Sequence, residues 1–189
     1  MPSKSEGERQ SDFFDVCGKC KTDHDCCHGT RPPITKERRR IIEEYLKREK
    51  IPVADAFVEE GYAYPRENAE GYCVFHDMKT RKCMIHAVKP ETCVAGPITF
   101  DINKKTGKIE WYIKKETICP LAEIVYMDKE LLKKHMESAK RESTRLVAQL
   151  DSKGLQAILK KEEPETFKIN GFSVEKCKGK AARISSNLE

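Results

Sequence analysis

The chain has 189 residues, enough for one domain or for a small core with appendages, and its charged residues (35%) nearly equal its hydrophobic ones (38%). The apolar core is therefore modest for the length, and something besides packing has to hold it together. The net charge of +5 comes from 36 basic and 31 acidic residues that are largely interleaved, which describes a solvated surface rather than a nucleic-acid face, and no apolar stretch reaches the length of a membrane span.

Met1 to Asp12 is polar and has no apolar segment of the signal-peptide kind, so the expected location is the cytoplasm, with no membrane attachment. Residues 1–13 read as a disordered N-terminus, and a dense cysteine segment begins at Cys17. Pro32-Pro33 stops whatever precedes it, because proline fixes φ and lacks an N–H. Thr35 offers an N-cap for a helix over 36–50 with Ile41, Ile42, Tyr45 and Leu46 on one face, and Pro52 ends it. Residues 53–60 suggest a second short helix closed by Gly61. Residues 71–86 suggest a hairpin, with Cys73-Val-Phe75 and Cys83-Met-Ile85 flanking a polar link. A clearer hairpin follows: Ile98, Phe100 and Ile102 alternate, residues 103–107 turn, and Ile109, Trp111 and Ile113 alternate back.

After Asp128 a helix should run to about Leu150, with Leu131, Leu132, His135, Met136, Ala139, Leu146, Val147 and Leu150 as its apolar stripe. Gly154 should break it before another turn or two over 155–161. Asn170-Gly171 should then close a small hairpin between residues 166–169 and 172–174. The expected division is a cysteine-cluster domain over 14–122, a helical extension with a small hairpin over 123–175 and a flexible basic tail over 176–189. The expected fold class is α+β: a small metal-held core of short hairpins and loops, helices packed around it and a long C-terminal helix.

Nine cysteines in a chain without an export signal point to metal ligation or redox chemistry rather than to disulfides. Cys17 and Cys20 have the C-x2-C spacing that brings two thiolates to one metal from a tight turn. Cys26 and Cys27 are adjacent, and in an extended segment their side chains would point opposite ways, so the pair could feed two sites. Cys73, Cys83, Cys93 and Cys119 complete a set of eight, twice the usual ligand number of a structural zinc or a cubane cluster. The cofactor reading is an iron–sulfur cluster, such as 4Fe–4S, ahead of zinc. Cys177 lies outside the pattern, between lysines, and reads as an exposed thiol. His24, His28, His76 and His86 lie near the cysteines and could each replace one as a ligand; the plainer reading is hydrogen-bonded loop histidines. Arg38-Arg39-Arg40 spreads over most of a helical turn and forms no single patch.

The ordered string Cys17-x2-Cys20-x5-Cys26-Cys27, Gly71-Tyr-Cys73-Val-Phe75, Cys83-Met-Ile-His86-x2-Lys89-Pro90-x2-Cys93 and Cys119-Pro120 resembles the YkgJ-type CxxCxxCC cysteine-cluster family. The resemblance covers about residues 14–122 and implies a zinc- or iron-chelating domain; members are often called Fe–S oxidoreductases. Lys89-Pro90 stands where the family has Arg-Pro, and Val94-Ala95-Gly96-Pro97 follows Cys93 where an arginine and an aromatic are common.

Three functions are compatible with these residues. One is a metal-binding module with one or two all-cysteine sites and a structural or electron-transfer role, working with a protein or redox partner. Another is a metal- or cluster-dependent enzyme, for which His76, Asp77, His86, Lys89 and Glu91 are the candidate reactive side chains. The third is a nucleic-acid adaptor stiffened by zinc. No other enzyme motif is present: no phosphate-binding loop, no dinucleotide fingerprint and no serine nucleophile elbow.

Overall fold

The computed structural model describes residues 25–103, 105–106, 108–159 and 165–169. The fold is α+β. Helix α1 (Lys36–Arg48) begins where Thr35 Oγ1 accepts the Arg38 N–H at 3.0 Å, the expected N-cap. It buries Ile42 and Leu46.

Residues 53–60 do not form a helix. Strands β1 (Phe57–Glu60) and β2 (Tyr62–Pro65) pair antiparallel around Gly61, whose φ of +79° suits a glycine turn. A short run rich in Val and Phe fits either structure by periodicity alone, and here the pairing partner two residues further on decides. The expected hairpin over 71–86 is present in reduced form. Strands β3 (His76–Asp77) and β4 (Lys82–Cys83) are joined by a turn in which Asp77 Oδ1 accepts the Lys79 and Thr80 N–H groups.

Helix α2 (Glu91–Ala95) leads into the second hairpin, β5 (Ile98–Asn103) and β6 (Lys108–Lys114). The register pairs Ile98 with Ile113, Phe100 with Trp111 and Ile102 with Ile109, so the alternation places all six on one buried face. Strand β7 (Thr166–Lys168) adds to the far side of β6. The remainder of the expected small hairpin, from Asn170 onward, lies outside the described residues, as do residues 1–24 and Cys177.

Helix α3 (Leu121–Met127) was not foreseen, and neither was α2: both are too short to show a period. The long helix α4 (Lys129–Gln149) starts at Asp128, whose side chain accepts the Glu130 and Leu131 N–H groups at 3.0 Å each. Gly154 does not break a helix. It sits inside α5 (Ser152–Leu159), where its N–H donates to Asp151 Oδ1 at 2.7 Å.

Two apolar clusters result. The larger joins the buried face of β5–β6 to Ala122, Val125, Leu132, Met136, Ala139, Leu146 and Leu155, so it draws on both sides of residue 122. The smaller consists of Ile42, Leu46, Ala56, Phe75 and Ile85, and Cys73 and Cys83 pack against it.

Candidate metal centre

The cysteines are delivered by short, well-tied segments. Asp25–Cys27 is a 3-10 turn, not the extended stretch that the sequence suggested. In such a turn successive side chains diverge by about a third of a circle rather than half, and the Cys27 thiol donates to Cys26. The opposite-faces argument therefore does not hold for this pair. Cys73 N–H donates to Cys27 O at 2.7 Å, and the Gly29 N–H donates to Gly71 O at 2.9 Å. Cys83 lies on β4, and Cys93 sits in the middle of α2. Cys119 accepts the Ala122 N–H through its carbonyl at 2.8 Å, at the entry to α3, and packs against the larger cluster. Cys17 and Cys20 lie outside the described residues, as does His24.

The electrostatics show which of these residues gather. Cys27 feels the charges of Cys26, Cys93 and Cys83; Cys73 feels those of Cys83 and Cys26; Cys93 feels those of Cys73 and Cys83. Five thiols from four separate segments thus share one neighbourhood. Burial, reinforced by the neighbouring cysteines, pushes Cys73 up to about 12 and Cys93 higher still. The Cys27 hydrogen bond, with help from Lys114 and Lys89, brings Cys26 down to about 6, while Cys27 itself is raised.

Such a set suits a metal cation. Burial first, and then the neighbouring cysteines, keep Cys73 and Cys93 protonated, and a bound cation would offset both penalties. Among the described residues, no three His, Cys, Asp or Glu side chains converge closely enough to hold an ion by themselves.

The other candidates separate. His28 is exposed, with Nε2 3.0 Å from Glu70 O and its ring edge-on to Tyr72. His76 is half-buried and stacks on Tyr72. Burial, then Lys89 and Lys82, lowers His86 to about 4, so its imidazole is neutral at neutral pH. Asp77 is engaged in its turn. Its carboxyl is held below the usual range by the Lys79 N–H, the Thr80 side chain and the Thr80 N–H. Glu91 is fully buried and accepts Thr35 Oγ1 at 2.7 Å. The Glu91 carboxylate is sealed from solvent. Lys89 is also buried.

A buried polar cluster escaped the sequence reading. Arg38 Nη2 donates to Glu142 Oε2 at 2.8 Å, and Arg38 Nε lies 3.7 Å from Glu91 Oε1. Arg141 donates to Glu142 Oε1 and to Ser138 Oγ. These contacts tie α1 to α2 and α4. No local signal could reveal a pair 104 residues apart. Arg39 and Arg40 instead face solvent and pair with Glu43, Glu59 and Glu44, consistent with the absence of a single basic patch.

Residues 16–120 match the model of a family described as "CxxCxxCC: Putative zinc- or iron-chelating domain". The chain is similar to the "Uncharacterized protein MJ0661" of Methanocaldococcus jannaschii, 30% identical over 105 residues, which are 52% of this chain and 54% of that one. It thus spans about half the length of that relative. No solved structure matches. No helix among the described residues is long and apolar enough to cross a membrane.

Proposed function

Because this chain belongs to the CxxCxxCC family of zinc- or iron-chelating domains, we propose that its eight ordered cysteines form a thiolate metal centre of one or two sites. The centre holds an iron–sulfur cluster, ahead of zinc, and serves a structural or electron-transfer role in the reducing cytoplasm. The observation that carries this reading is the gathering of Cys26, Cys27, Cys73, Cys83 and Cys93 from distant segments, with the C-x2-C pair Cys17 and Cys20 a few residues upstream. All-thiolate ligation suits both metals. An electron-transfer role requires a redox partner protein; the dispersed surface charge gives no reason to invoke nucleic acid.

Anaerobic purification of the full chain, followed by metal analysis and visible absorption, tests the proposal. A brown sample with iron and acid-labile sulfide is expected, and a colourless one with stoichiometric zinc would change the metal but keep the centre. Protein that carries neither and takes up neither on reconstitution under reducing conditions would overturn the reading.

A further inference from the structure

The buried cluster of Arg38, Glu91 and Glu142 is an expensive way to join helices. All three side chains are buried, and among the described residues Arg38 Nε and Glu91 Oε2 have no hydrogen-bond partner. Well-packed apolar side chains in place of such ions are commonly neutral or stabilising. The best-attested use of buried charges is to fix the register of one element against another.

The element fixed here is α2. It is five residues long and begins at Pro90 with no side-chain cap, and a helix that short does not hold its place unaided. Its ties are tertiary. Glu91 Oε1 accepts the Thr35 hydroxyl at 2.7 Å and lies 3.7 Å from Arg38 Nε. Thr35 is itself fixed, because the same Oγ1 accepts the Arg38 N–H at 3.0 Å as the N-cap of α1. Arg38 is fixed in turn by Glu142 Oε2 on α4, at 2.8 Å. The first residue of α2 is thus held from α1 and, through Arg38, from α4. Ala95, one turn on from Glu91, is buried in the larger apolar cluster.

Cys93 stands between these two anchors in the sequence of α2. At 3.6 residues per turn its side chain leaves the helix about 200° round from Glu91, on the side away from Ala95 as well. Glu91 and Ala95 hold the back of the helix, and the thiol is presented from its front.

We infer that Glu91 is a positioning residue of the metal centre: through its ties to Thr35 and Arg38 it sets the rotation of α2, and so the direction in which Cys93 presents its thiolate. The inference rests on the metal-binding reading above, with Cys93 as a ligand.

The test uses the full chain, stripped of metal under reducing conditions and titrated with Co2+ alone, as the parent, Glu91→Ala, Cys93→Ser and the double variant. Glu91→Ala should weaken Co2+ binding about 10–100-fold in the parent, as loss of a ligand's outer support does. On top of Cys93→Ser it should cost less than about 3-fold, because the thiol it positions is then gone and the two effects do not add. Where Glu91→Ala does not fold, Glu91→Gln carries the same comparison. It keeps the size of the side chain and an acceptor for Thr35, gives up the ion pair, and should lose about 10-fold, again only while Cys93 is present. Equal losses with and without Cys93 would show a general structural role and overturn the inference, as would unchanged affinity in both Glu91 variants. A Cys93→Ser protein that binds Co2+ as tightly as the parent would remove Cys93 from the centre and the inference with it, leaving metal binding intact. A parent that binds no Co2+ would overturn the metal-binding reading itself.

Discussion

Arg38 is 4% exposed and stands between two carboxylates, Glu142 (2%) and Glu91 (0%). A buried pair of this kind adds little net stability over a well-packed apolar substitute, but removing one partner strands a charge in low dielectric. Arg38→Met removes the cation the two share, leaving Glu142 only Arg141 and Glu91 only the Thr35 hydroxyl. It should lower stability by about 3–5 kcal/mol, a large share of the roughly 5–15 kcal/mol typical of a domain. Urea unfolding of the metal-loaded proteins measures this, and a difference below about 1 kcal/mol would mean that water reaches the carboxylates. His135, also buried, is lowered to about 4 by burial and then by Lys89. Unfolding restores its ordinary value near 6.5, so the unfolded chain binds more protons between those values. The contribution is complete above about pH 6.5 and is lost progressively as pH falls towards 4 and below, by up to about 3 kcal/mol. His86 shifts in the same direction for the same first cause. His135→Gln should therefore flatten part of the acid slope in urea midpoints between pH 7 and 4.5. Equal slopes in parent and variant would show that His135 is not the titrating group, since metal loss in acid affects both proteins alike.

The β1–β2 hairpin and helix α5 meet backbone to backbone. A Cβ at Gly61 would lie 3.1 Å from Ala157 Cβ, and one at Gly154 would lie 3.3 Å from Gly61 O. Gly61 also carries a positive φ that other residues adopt only with strain. Gly61→Ala combines both penalties and should cost about 1–3 kcal/mol. Gly154→Ala gains about 1 kcal/mol of helix propensity, which offsets part of its crowding, so it should be the milder change. Thermal unfolding orders the two; a Gly61→Ala protein as stable as its parent would mean that α5 shifts freely. Capping acts at the same scale. Thr35 and Asp128 each satisfy N–H groups that no helical carbonyl can reach, and the Thr35 cap is visible in the sequence because capping is local.

Across the whole molecule, the two apolar clusters divide the labour. The larger has a sheet face and four helices to bury it, while the smaller has five buried side chains and leans on Cys73 and Cys83. Structural Cys-rich zinc sites contribute about 10 kcal/mol or more, comparable to the stability of an entire domain. Chelation under reducing conditions should therefore strip amide protection from α1 and residues 71–86 while β5, β6 and the middle of α4 stay protected. Hydrogen exchange with mass spectrometry resolves this. Uniform protection before and after chelation would show that the smaller cluster stands without metal.

What the sequence determined by itself was local. The Cys17-x2-Cys20 and Cys26-Cys27 spacings, the Thr35 cap, the start of a helix after Asp128, the alternation that makes β5 and β6 a hairpin, and the stripe along α4 each depend on residues within a few positions of one another. The α+β class and the family follow from these features. Tertiary structure decided the rest, because the partners are far apart in the chain or the local signal fits two structures equally. Residues 53–60 could have been helix until Tyr62 and Tyr64 offered β1 a partner. Cys26-Cys27, taken in the sequence as extended, lies in a 3-10 turn tied to residues 71–73 by backbone hydrogen bonds. His76 is one histidine among several near cysteines until the register sets it opposite Cys83. Arg38 looks like its solvated neighbours until α4 brings Glu142 to it from 104 residues away, and only packing can turn that surface charge into a buried one.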